Sequence, residues 1–93
     1  MKELDINKWE TDKGNVVSDR ERDYLTFETK GLSVRIPIET IISDDDRYGS
    51  IVYLTTALKW SDGRPLSPED VAFVRGEVSS VYTATNYYHK FGG

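Results

Sequence analysis

Ser67-Pro68-Glu69-Asp70 constrains this chain more than any other run of residues. Ser67 reads as an N-cap whose hydroxyl accepts the amide of Asp70. Pro68 takes the first helical position, where its missing N–H is no loss. Glu69 and Asp70 place negative charge at the positive end of the helix dipole. Asp70, three residues after the cap, approximates a capping box, and Leu66 and Val71 hold the two positions of a hydrophobic staple. A helix must start here. At about 100° per residue, Val71, Val74, Val78, Val81, Tyr82 and Thr85 form one stripe that should pack on a sheet, with Phe73 and Tyr87 on the other side. Its valines and Gly76 give modest propensity, so packing must hold it. The expected span is 67–88, fraying near Asn86, with His89 and Lys90 as cations at the negative end.

Upstream the pattern changes to period two. Tyr24-Leu25-Thr26-Phe27-Glu28-Thr29 alternates, with Leu25 and Phe27 on one face. Lys30-Gly31 reads as a two-residue loop with glycine free to take a positive φ. Leu32, Val34, Ile36 and Ile38 then alternate with Ser33, Arg35, Pro37 and Glu39, which predicts a half-buried strand. Pro37 places that strand at an edge or breaks it there. Ser43-Asp44-Asp45-Asp46-Arg47-Tyr48-Gly49 reads as a loop, because three adjacent carboxylates prefer water. Ser50 to Leu58 reads as a third strand, with Trp60 as a lid on the core and Asp62-Gly63 as a turn. Residues 1–22 carry only a weak pattern around Leu4, Ile6 and Trp9.

Ninety-three residues suit a single domain spanning 1–93. Its expected parts are a weakly structured or edge segment over 1–22, a β-meander over 24–60 and a helix over 67–88. The fold class is therefore α+β: an antiparallel sheet of three to five strands with one C-terminal helix packed on it. The chain has no cysteine, which removes disulfides, thiolate zinc sites and thiol catalysis. No apolar run is long enough to span a membrane, and MKELDINKWE lacks the core of a signal peptide. A cytoplasmic location is the expectation. With 16 acidic against 12 basic residues the net charge is −4, which argues against nucleic acid and suits either plain solubility or a basic protein partner.

Catalysis finds little support. The one histidine is His89, near a terminus, and no Gly-rich phosphate loop is present. Asp44, Asp46, Gly49 and Ile51 match positions one, three, six and eight of a calcium loop. Tyr48 and Thr55 stand at positions five and twelve, however, so the bidentate glutamate is missing. No metal and no cofactor are expected. Gly92-Gly93 ends the chain as ubiquitin-like modifiers end, though it follows a helix pattern rather than a strand. Asp44, Asp45, Asp46 and Tyr48 are the candidate contacts for a protein partner, since tyrosine is favoured at interfaces.

Two resemblances follow from these residues. Lys59 to Phe73, KWSDGRPLSPEDVAF, resembles a segment of periplasmic oligopeptide-binding proteins. It covers about a sixth of the chain, and nothing else here follows that family, so it reads as convergence on one strand–turn–capped-helix solution. The second runs from Arg35-Ile36-Pro37-Ile38-Glu39 through Ile51–Leu58 and Trp60 to Ser67-Pro68-Glu69-Asp70. That order is similar to small immunity proteins of bacterial polymorphic toxin and contact-dependent inhibition systems. The resemblance implies a non-enzymatic cytosolic protein that binds a cognate toxin domain, such as a nuclease, and occludes its active site. An acidic loop would suit a basic toxin surface. The alternatives are a structural or regulatory subunit of a larger assembly and a ubiquitin-like modifier. The sequence leaves the oligomeric state open.

Overall fold

The computed structural model describes residues 1–92. Among them are seven strands and one helix: β1 (Lys2–Asp5), β2 (Lys8–Glu10), β3 (Val16–Ser18), β4 (Tyr24–Thr29), β5 (Leu32–Ile42), β6 (Tyr48–Tyr53), α1 (Pro68–Ala84) and β7 (Tyr88–Gly92). The strands lie side by side in chain order. Pairs from β1 to β6 are antiparallel, and β6–β7 is parallel. A parallel pair needs a long crossover, and α1 lies within it. The fold is α+β with the helix against the sheet, as expected. The sheet is mixed and larger than the antiparallel one of three to five strands.

The β4–β5 hairpin forms as its residues dictate. Lys30 and Gly31 both take positive φ, 48° and 79°, the twist a two-residue hairpin loop needs. Leu25, Phe27, Val34, Ile36 and Ile38 are buried on one face. β5 pairs with β4 as far as Pro37 and with β6 from Ile38 onward. Pro37 thus sits where the strand changes partners, a place that tolerates a missing N–H.

The helix start also follows its sequence. Ser67 Oγ accepts from the Asp70 amide and Asp70 Oδ2 from the Ser67 amide, both at 3.0 Å. The Trp60 indole N–H donates to the same carboxylate at 3.1 Å, and Trp60 is buried against Phe27. Val74, Val78, Val81 and Tyr82 are buried and Val71 packs beside them, while Thr85 is exposed. The Ser67 amide, and then the Trp60 indole, hold the Asp70 carboxyl below its ordinary value of 3.8. A lowered folded-state value gives stability that is present above the ordinary value and lost as pH falls through the lowered one. Asp70→Asn should therefore lower the melting temperature near neutral pH, and the gap from the parent should close below about pH 4 in an acid melting series.

Two element ends differ from expectation, while the N-terminal segment, expected to be weakly structured or at an edge, forms three strands at one side of the sheet. The N-terminal segment is built into the sheet: Trp9 faces Val17 across β2–β3, and both are buried. Its strands are only three or four residues long, too short for periodicity to show. Thr11 Oγ1 and Asn15 Nδ2 donate to the buried Glu77 of α1 at 2.8 and 2.6 Å, tying this segment to the helix. The third strand ends at Tyr53 rather than Leu58. Leu54 remains buried, and a turn bonded from the Leu58 amide to the Thr55 carbonyl follows.

The helix stops at Ala84, short of 88. Thr85 caps it, Asn86 turns to φ 56°, and the Tyr87 amide donates back to the Tyr82 carbonyl at 2.8 Å. Tyr88 to Gly92 then form β7, so His89 is a strand residue and not a cation at the helix end. Gly93, half of the terminal glycine pair, lies outside the described residues, and Gly92 ends β7.

Candidate functional site

The Ser43–Arg47 turn joins β5 to β6, and only this turn and the Ile42–Tyr48 pair extend past the ladder that β7 forms with β6 from Gly49 onward. The turn is locally self-sufficient. The Ser43 amide donates to the Arg47 carbonyl at 2.8 Å, the Asp46 amide to the Ser43 carbonyl at 3.0 Å, and the Arg47 amide to Ser43 Oγ at 3.0 Å. Asp46 takes φ 61°, a conformation that aspartate tolerates better than most residues. Asp45 accepts from the Ser43 hydroxyl and pairs with Arg47 Nε at 3.1 Å. The Ser43 hydroxyl first, and Arg47 after it, hold its carboxyl below the ordinary range. Asp44 and Asp46 are exposed and make no ion pair among the described residues. Ser43–Arg47 is a loop as expected, while Tyr48 and Gly49, expected within it, open β6; the three carboxylates of the turn point a net negative charge at solvent.

Tyr48 is the first residue of β6 and stands opposite Ile42, the last of β5. Tyr48 is 70% exposed and Ile42 60%. Ile42 shares the parity of Val34, Ile36 and Ile38, so the pattern predicts an inward side chain. It points to the same face, but α1 does not cover the sheet there. Sequence reasoning found Tyr48 and missed Ile42 for that reason.

Next on this face comes the Thr40–Ser50 pair, which floors a cleft of about 440 Å³. Its other walls come from β2, the β3–β4 connection, the last turn of α1 and Tyr87. Inside it the Tyr82 hydroxyl donates to Asp19 Oδ2 at 3.0 Å, and the Tyr87 and Ser50 hydroxyls lie 3.1 Å apart. Burial raises the Asp19 carboxyl, which the Tyr82 hydroxyl offsets in part, and burial beside Asp19 pushes the Tyr82 phenol up. No sequence pattern could have assembled these residues, which lie as far as 63 positions apart.

A second cleft, of about 590 Å³, flanks the helix start between Leu32, Trp60 and Phe73. Its carboxylate, Asp70, is already committed to the helix cap. His89 Nε2 lies 3.0 Å from Ser79 Oγ, and Nδ1 lies 3.1 Å from the Tyr87 carbonyl. The carbonyl must accept, so Nδ1 donates to it, and Nε2 faces the Ser79 hydroxyl. The ring lies tilted against Tyr82 and edge-to-face with Phe91, so the His89–Ser79 pair holds β7 to α1. Among the described residues no group of three or more potential metal ligands converges, the Asp44–Asp46 turn included. No helix among them is long and apolar enough to cross a membrane.

Comparison of the chain with protein-family models, with curated proteins and with solved structures gives no match.

Proposed function

We propose that this chain is a non-catalytic immunity protein that binds a cognate bacterial toxin domain and occludes its active site, with the Asp44–Asp46 turn and the Ile42–Tyr48 pair as its contact surface. The observation that carries the reading is the pair itself: two large apolar side chains, 60% and 70% exposed, standing directly beneath three aspartates. Bare aromatic and aliphatic side chains are the anchors of protein interfaces. The flanking carboxylates would steer a basic partner and exclude an acidic one. Net charge −4 and the resemblance to toxin-system immunity proteins point the same way.

Co-expression with the product of the neighbouring gene tests this. The expected result is a complex that co-purifies and protects the host from that product's activity. Absence of both binding and protection would leave the subunit reading as the better one.

A further inference from the structure

We infer that the cleft between β5–β6 and the last turn of α1 is a receptor for a lysine or arginine side chain of the partner protein. This rests on the reading of the chain as a binder of a basic partner and names what that partner must insert. Three observations carry it.

The first is charge. Asp19 and Glu21 both line the cleft. Glu21 is held by Arg35 at 3.2 Å. Asp19 is partly buried, and the one hydrogen bond to its carboxylate among the described residues is from the neutral Tyr82 hydroxyl. A carboxylate withdrawn from water without a cation is unfavourable, and a charged donor relieves it.

The second is the helix end. The last turn of α1, with Tyr82 on the cleft wall and Thr85 beyond it as the cap, contains no basic residue. The negative end of the helix dipole is therefore uncompensated on the same side as Asp19, and a cation placed there would gain from both. The one cation on the cleft wall is Arg22, which is exposed and makes no ion pair among the described residues. It is the natural competitor for the site.

The third is continuity. The cleft floor, Thr40 and Ser50, is the next cross-strand pair after Ile42 and Tyr48 on the same face. A partner segment seated on the apolar pair would bring its neighbouring side chain to the cleft mouth. Hydroxyls of Ser50, Tyr82 and Tyr87 and the amide of Asn7 offer further polar contacts to an extended, charged head.

The test uses N-acetyl-arginine N-methylamide as probe and the citrulline analogue, equal in shape but uncharged, as control. Amide chemical shifts are followed on the full chain. The arginine probe should shift Asp19, Ser50 and Tyr87 and their neighbours, and the citrulline probe should not. Asp19→Asn, which keeps an acceptor for Tyr82 and should keep the melting temperature, weakens the probe about tenfold, as for one lost charge-assisted hydrogen bond. Thr85→Lys supplies a cation from the chain itself and should abolish probe binding while raising the melting temperature. Arg22→Gln should tighten it. Equal shifts from both probes, an affinity unchanged by Asp19→Asn, or binding that survives Thr85→Lys would overturn the assignment. If the probe binds here but the neighbouring gene's product does not bind the protein at all, the cleft stands and the toxin reading falls.

Discussion

Gly49→Ala should unfold or partly unfold the protein, with a loss of about 3 kcal/mol, the scale of a severe overpacking change. Gly49 sits opposite Tyr88 in the parallel β6–β7 ladder. A Cβ there would overlap the Tyr88 carbonyl oxygen and come within 2.5 Å of Tyr88 Cδ2 and 2.8 Å of Tyr88 Cβ. The backbone oxygen cannot swing aside as a side-chain tip can, so β7 must separate from β6. For a domain this small the melting temperature should drop by roughly 15 °C. Amide exchange should accelerate first in Tyr88–Gly92. Gly76→Ala is the matched control: a Cβ at that helical position meets nothing within 4 Å. It should raise stability by up to about 1 kcal/mol, because alanine is the better helix former. Thermal melts of the two variants side by side should move in opposite directions.

Trp60→Ala should cost about 4 kcal/mol, in the range for deleting a large buried aromatic. The ring is 7% exposed and its centroid is 6.4 Å from that of Phe27. Its N–H also bonds Asp70 Oδ2, the carboxylate that closes the helix cap. One substitution therefore opens a cavity and removes a partner from the cap. Trp60→Phe separates the two: it keeps most of the packing and loses the hydrogen bond, worth about 1 kcal/mol. Urea unfolding of both variants gives the comparison. A Trp60→Ala chain as stable as its parent would mean that the ring is not a lid on the core.

The contrast between the two predictions shows where the fold was legible. Trp60, Ser67, Pro68 and Asp70 act within a dozen residues of one another, so cap, staple and lid could be read from the chain alone. The Lys30-Gly31 hairpin was legible for the same reason, since its loop chemistry and flanking alternation are local. Gly49 and Tyr88 belong to a parallel ladder closed across the whole helix. Nothing near either residue announces the other, and His89-Lys90 next to a helical pattern reads as a helix end. Asn86 at positive φ was the local signal that the helix had stopped. β1 to β3 were faint because strands of three or four residues cannot display a period.

The candidate site divides along the same line. The Asp44–Asp46 turn was visible because adjacent carboxylates reject regular structure, and Tyr48 because it borders that turn. Ile42 was hidden by its inward parity, and the Asp19–Tyr82 cleft by distance along the chain.

Negative charge on the β5–β6 turn is proposed to draw a basic toxin domain onto the protein. The most direct measurement is the association rate with the neighbouring gene's product, followed by stopped flow across a range of salt. The protein and its Asp44→Asn, Asp45→Asn, Asp46→Asn triple variant would be compared. The rate should fall steeply with salt for the parent, and the variant should be slower by about tenfold at low salt, with the two converging at high salt. Equal rates at low salt would contradict it and take the turn out of the interface.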